Sequence, residues 1–166
     1  VINMGHAYYF DQIDNFLKET KNEVFGKIDQ DRTFETVDEQ KLAWDQEITE
    51  LQRQLQGIKG KIGFEFEIPR MGERADVVLL VSGIIFILEF KVGQNKIIES
   101  NVDQVVGYKM DLLDFHEASA GRTVIPILIP TKYYNTNDPG NNSSALKELV
   151  KGDNDVYFVL NVSNLG

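Results

Sequence analysis

From residue 61 the chain "KIGFEFEIPR" alternates apolar and polar positions. Ile62, Phe64, Phe66 and Ile68 share one parity, and Glu65 and Glu67 fall between them. A period of two predicts a strand over 61–70 with one wet face. Residues 75–81 and 84–91 are continuous apolar runs and predict strands buried on both faces. Ser82-Gly83 between them is a two-residue hairpin signal. "TVIPILIP" (123–130) predicts a further buried strand, and "DVYFVLNV" (155–162) a last one. Three stretches carry helical spacing instead. Residues 8–28 place Phe10, Ile13, Leu17, Val24, Phe25 and Ile28 on one side. Residues 38–56 do the same with Leu42, Ile48, Leu51 and Leu55, before a stop at Gly57. Residues 98–117 do so with Val102, Val105, Val106, Leu112, Leu113 and Phe115. "SSALKELVKG" (143–152) predicts a short capped helix, and 29–38 and 135–142 read as connections. The expected fold is α/β (α+β): a mixed central sheet flanked by helices, with an extra N-terminal helix. The organisation expected is an N-terminal helical extension over 1–37 and a domain over 38–166.

The apolar hairpin contains charges that do not belong in a core. With Ser82 and Gly83 as turn residues, opposed residue numbers sum to 165, as those of Asp76 and Glu89 do. Directly opposed side chains share a face with Cβ atoms about 5 Å apart. Lys91, two residues after Glu89, shares that face, and Arg74 falls opposite it. Two facing carboxylates repel and are costly to desolvate. A shared proton or a divalent cation relieves them, and carboxylate oxygens are hard ligands suited to Mg²⁺ or Mn²⁺. A lysine beside such a pair suits a reaction that activates water and stabilises a developing anion. The alternative is a rim ion pair in which Lys91 only neutralises Glu89.

Composition narrows the classes. The chain has 166 residues and no cysteine, so disulfides, zinc–thiolate sites and thiol nucleophiles are excluded. No apolar run reaches the roughly 18 residues that span a membrane, and the expected setting is cytoplasmic. The net charge of -9 argues against a general polyanion binder. The charge is uneven, about -6 over residues 1–57 and -1 over 58–134. The chain opens on Val1 and ends just after a strand-like run, so a piece of a longer protein is expected.

Asp76, then twelve residues, then Glu89-Phe90-Lys91 on a hairpin between helices resembles the PD-(D/E)xK nuclease superfamily. The family's αβββαβ core matches the element order expected over 38–130. Ala75 stands where the family usually has proline. Gln104 and Tyr108, four apart on the next helix, look like the Q-x-x-x-Y signature of the RecB-type branch. "FEFEIPRMGERADVVLLVSGIIFILEFKVG" and "DQVVGYKMDLLDFHEAS" are similar to bacterial proteins with such a nuclease-like domain ahead of a Schlafen-type DNA/RNA helicase domain. The resemblance implies a restriction-endonuclease-like fold and a nuclease that hydrolyses phosphodiester bonds, in DNA first of all. By it, Asp76 and Glu89 bind Mg²⁺ or Mn²⁺ with the backbone carbonyl of Phe90. Lys91 handles the attacking water and the transition-state charge, and Gln104 positions Lys91 or the substrate. Glu47, one turn before Leu51, is the candidate acidic residue from the first helix. Arg70, Arg74 and Tyr108 are the candidate nucleic-acid contacts. The expected partners are nucleic acid and a helicase domain in the same full-length chain, with no membrane. Further copies of the chain in a homo-oligomer are another candidate partner. The competing reading is an inactive nuclease-fold module that docks nucleic acid or a protein.

The remaining polar and aromatic residues read more plainly. Glu65 and Glu67 read as solvated. Lys96 and Lys109 are weaker versions of the arginine contacts, and His6 and His116 are too isolated for a metal pair. Trp44, Tyr133 and Tyr134 read as core or rim rather than as base-stacking surfaces.

Overall fold

The computed structural model describes residues 7–30, 38–133, 147–150 and 156–159. His6, Tyr134 and the connections expected over 29–38 and 135–142 lie wholly or mostly outside these residues. The elements run β1 (Tyr9–Gln12), α1 (Ile13–Phe16), α2 (Lys21–Gln30), α3 (Asp38–Gln54), β2 (Lys61–Glu67), β3 (Arg74–Val81), β4 (Ile84–Lys91), α4 (Glu99–Phe115), a 3₁₀ turn (Glu117–Ser119), β5 (Val124–Pro130), β6 (Lys147–Val150) and β7 (Val156–Val159). Among the described residues they make an α+β architecture on one mixed sheet, ordered β1-β2-β3-β4-β5-β7-β6. β1 to β4 are antiparallel neighbours, β4 pairs parallel with β5 across the α4 connection, and β5 pairs parallel with β7.

The hairpin register is the one that the apolar runs predict. Val81 pairs with Ile84 and Val77 with Leu88. Ser82 and Gly83 both have positive φ, 52° and 79°, the signature of a turn whose twist matches the flanking strands.

Two helical expectations are corrected. Residues 8–28 are not one helix: Tyr9–Gln12 is an edge strand antiparallel to β2, and two helices follow it. The sheet edge at β2 offers unpaired backbone groups, and pairing them outweighs a short helical pattern. The "SSALKELVKG" stretch holds strand β6, not a helix, because β7 supplies an antiparallel ladder from Lys147↔Val159 to Val150↔Val156.

The sheet separates two cores. One face packs Tyr9, Ile13, Phe16, Val24 and Ile28 with Trp44, Ile48, Leu51 and Leu55 of the α3 region. The other packs against α4 through Val102, Val105, Val106, Tyr108 and Leu112. Within α3 the inward stripe is Trp44, Ile48 and Leu51, continued just past the helix by Leu55; Leu42, expected in it, is 70% exposed. Phe115, expected on the buried side of α4, is also exposed.

One irregularity places the site. Phe64 and Val77 belong to the α3-side core, whereas Phe66 and Ala75, the paired residues two rungs away, belong to the α4 side. Both strands change faces at one rung, where Glu65 would meet Asp76, and the ladder skips that rung between Phe64↔Val77 and Phe66↔Ala75. Glu65 has φ +52°, a left-handed conformation that costs a non-glycine residue on the order of 1–3 kcal/mol. Where the ladder opens, side chains replace backbone partners.

Candidate active site

Asp76 sits just before the point where the β3–β4 ladder stops at Val77↔Leu88. The next groups pair through side chains. The Phe90 N–H donates to Asp76 Oδ2 at 2.7 Å, and the Asp76 N–H reaches Glu89 Oε2 at 3.4 Å. The two carboxylates are thereby brought together, and the Phe90 peptide is fixed beside them.

Lys91 extends the arrangement toward α4. Its ammonium donates to Glu89 Oε1 at 3.0 Å and to Gln104 Oε1 at 2.7 Å. Gln104 in turn donates to the Tyr108 hydroxyl at 2.8 Å, which lies 3.5 Å from the Arg74 carbonyl oxygen. Gln104 and Tyr108 share a face of α4 because they are four residues apart. Tyr108 is almost wholly buried, and its hydroxyl meets Gln104 and Glu73. The residue expected to contact nucleic acid thus has its ring in the core.

From the opposite face α3 contributes Glu47, 3% exposed, with its Oε2 buried and without a hydrogen-bond partner. Beside it is a residue that the alternating pattern hides. Glu65, read as solvated, is 8% exposed and accepts a hydrogen bond from the Trp44 indole N–H at 3.0 Å. Alternation assigns it to the wet face; the face change at its own rung turns it inward. Only Glu67 of that pair is exposed. Trp44 is fully buried, with its ring against Phe25.

The electrostatics follow from this crowding. Burial pushes the Glu47 carboxyl well above the ordinary carboxylate range, and the charges of Asp76, Glu65 and Glu89 push it the same way. Burial, then Glu89, raises Asp76 against the pull of the Phe90 N–H. Burial also raises Glu89, although the Lys91 charge and hydrogen bond oppose it. Lys91 is the ammonium that faces Glu89, and a simple rim ion pair leaves Glu47 and Asp76 uncompensated. Burial raises the Tyr108 hydroxyl as well, with the Glu89 charge behind it.

The two arginines lie outside this network of side chains. Arg74 stacks on the Tyr8 ring at 4.1 Å and donates to the Glu65 carbonyl at 2.8 Å. Arg70 is exposed on the turn between β2 and β3, stacked on Phe115 at 4.3 Å. His116 contacts Ser119 at 2.6 Å and packs its ring on Phe66.

As they stand, no three acidic or imidazole groups among the described residues converge to grip a metal ion. The groups gathered here are carboxylates, whose oxygens are hard donors; their charges repel, and one buried oxygen, Glu47 Oε2, has no partner. Among the described residues no helix is long and apolar enough to cross a membrane. Compared with protein-family models, curated proteins and solved structures, the chain matches none.

Proposed function

We propose that this chain is a divalent-metal-dependent nuclease domain of PD-(D/E)xK type, with a restriction-endonuclease-like core formed by α3, β2, β3, β4, α4 and β5, hydrolysing phosphodiester bonds in DNA. The observation that carries the reading is the joining of Asp76, Glu89 and Lys91 at an opened hairpin ladder, facing an unpartnered Glu47 oxygen. Asp76, Glu89 and Glu47 would hold Mg²⁺ or Mn²⁺, with the Phe90 carbonyl as a further donor. When bound, the cation supplies Lewis-acid polarisation of the phosphoryl group. The chain's own residues do the rest. Lys91, locked between Glu89 and Gln104, meets the charge that grows on the phosphoryl oxygens. Tyr108 holds Gln104 in turn. In the overall step a water oxygen bonds to phosphorus, one phosphoester bond breaks, and the leaving oxygen takes up a proton. Arg74 and Arg70 stand at the rim as phosphate contacts. A helicase domain in the same full-length chain and a cytoplasmic setting belong to this reading.

The test is incubation of the full-length protein with labelled single- and double-stranded DNA and RNA, in Mg²⁺, Mn²⁺ or EDTA. Cleavage of DNA with metal, none in EDTA and none by Asp76→Asn is the expected result. No cleavage under any condition favours the docking module, for which the charge of about -6 over residues 1–57 offers a protein-facing surface.

A further inference from the structure

Glu65 lies outside the motif that carries the proposed chemistry, yet it sits among the carboxylates of that motif. It interacts electrostatically with Glu47, Asp76 and Glu89. It occupies the rung where β2 and β3 change faces, at φ +52°. Trp44 reaches from α3 and donates its indole N–H to Glu65 Oε1 at 3.0 Å. A hydrogen bond that orients a buried carboxylate is what ligand carboxylates have behind them. A second, independent observation points to a missing ligand: Glu47 is 3% exposed, and its Oε2 has no partner. Glu47 and Trp44 stand three apart on the inward side of the same helix, so they approach Glu65 together.

We propose that Glu65, oriented by Trp44, is a further ligand-positioning carboxylate of the divalent-cation site. The carboxylates that would close on the cation then come from four elements, Glu47 from α3, Glu65 from β2, Asp76 from β3 and Glu89 from β4, and they do not yet converge as they stand. This inference rests on the metal-dependent reading above. It adds a residue from a strand that the motif does not include, and it gives the left-handed conformation of Glu65 a purpose.

Trp44 is the chain's one tryptophan, so binding is read without any turnover. Tb³⁺ serves as the luminescent probe, excited through the indole, with Mn²⁺ as competitor, and calorimetry with Mn²⁺ gives a second measure. Wild type should show sensitised Tb³⁺ emission that Mn²⁺ displaces. Glu65→Gln retains an amide oxygen to accept the indole hydrogen bond and removes only the charge. It should weaken Mn²⁺ binding by roughly 10- to 100-fold, the range for loss of a group that supports a metal site. Its metal-free melting temperature should be equal or higher, and the rise produced by Mn²⁺ should shrink. Trp44→Phe, followed by calorimetry, should weaken Mn²⁺ binding by about 10-fold. If Glu65→Gln binds Mn²⁺ like wild type while Asp76→Asn does not, Glu65 is only a structural partner of Trp44, and the inference fails with the metal-dependent reading intact. If wild type binds neither ion, both fail. Should Glu65→Gln not fold, unchanged Mn²⁺ affinity in Trp44→Phe overturns the inference by itself.

Discussion

Lys91 is held by two acceptors, Glu89 Oε1 and Gln104 Oε1, at 3.0 Å and 2.7 Å. A fixed ammonium needs little reorganisation when charge develops nearby, so it acts more on the transition state than on the ground state. Lys91→Ala in the full-length protein should therefore lose cleavage by ~10²-fold or more, the scale of one preorganised donor. DNA and metal binding should survive far better. Turnover and binding measured on one preparation decide it, and retained activity would reduce Lys91 to an ion-pair partner. A second expectation at this scale concerns pH. Glu47, Asp76 and Glu89 are all raised above the ordinary carboxylate range. Above pH ~4, the unfolded-state value, the folded state then holds more protons than the unfolded one. Their contribution is present in full below that pH and is lost as pH rises through the raised values. In EDTA, Glu47→Gln should therefore be more stable than wild type at neutral pH and show a flatter decline with pH. Thermal melts from pH 4 to 8 measure this, and saturating Mg²⁺ should flatten the wild-type curve too. A wild type whose stability relative to Glu47→Gln rises with pH in EDTA would contradict it.

At the scale of elements, glycines mark where the hairpin and its approach are constrained. Gly83 sits at φ +79° in the β3–β4 turn with open space where a Cβ would stand. Gly83→Ala should cost about 1–2 kcal/mol, the penalty of the left-handed conformation alone. Gly60, before β2, has φ +157° and lies against β3, so that a Cβ would run into the Leu80 carbonyl oxygen. Gly60→Ala needs backbone movement and should cost clearly more than Gly83→Ala. Urea denaturation of the two variants ranks them, and equal losses would show that the loop yields. The hairpin itself was legible because its apolar runs, its turn and its charges agree on a single register. β1 and β6 were not. Each is four residues long, and strands so short draw their stability from a neighbouring edge rather than from their own pattern.

For the whole molecule, the N-terminal segment is part of the sheet and of the core. β1 pairs with β2, and Tyr9, Ile13, Phe16, Val24 and Ile28 are buried against Trp44 and Phe64. At about 1.5–3 kcal/mol for each large apolar side chain buried, removing these five forfeits roughly 7.5–15 kcal/mol, as much as the whole 5–15 kcal/mol margin of an ordinary domain. Deleting residues 1–30 should leave a chain without a cooperative thermal transition, as circular dichroism would show. A deletion variant that melts cooperatively near wild type would make the segment an accessory. The same packing fixes α3 on the sheet, and with it Glu47 beside Asp76.

The amino-acid sequence by itself determined the hairpin, its register and the meeting of Asp76, Glu89 and Lys91, because period-two geometry and a two-residue turn leave little freedom. It also determined the pairing of Gln104 with Tyr108, since four residues make one helical turn. Glu47 was within reach for the same reason, one turn before Leu51 on the buried side of its helix. Only the tertiary structure decided the fate of Glu65. Its neighbours alternate as for a wet-faced strand, and nothing local announces that β2 and β3 change faces together at residues 65 and 76. That change falls at the left-handed Glu65, where the β2–β3 ladder skips a rung. It is a property of the assembled sheet, not of any window along the chain.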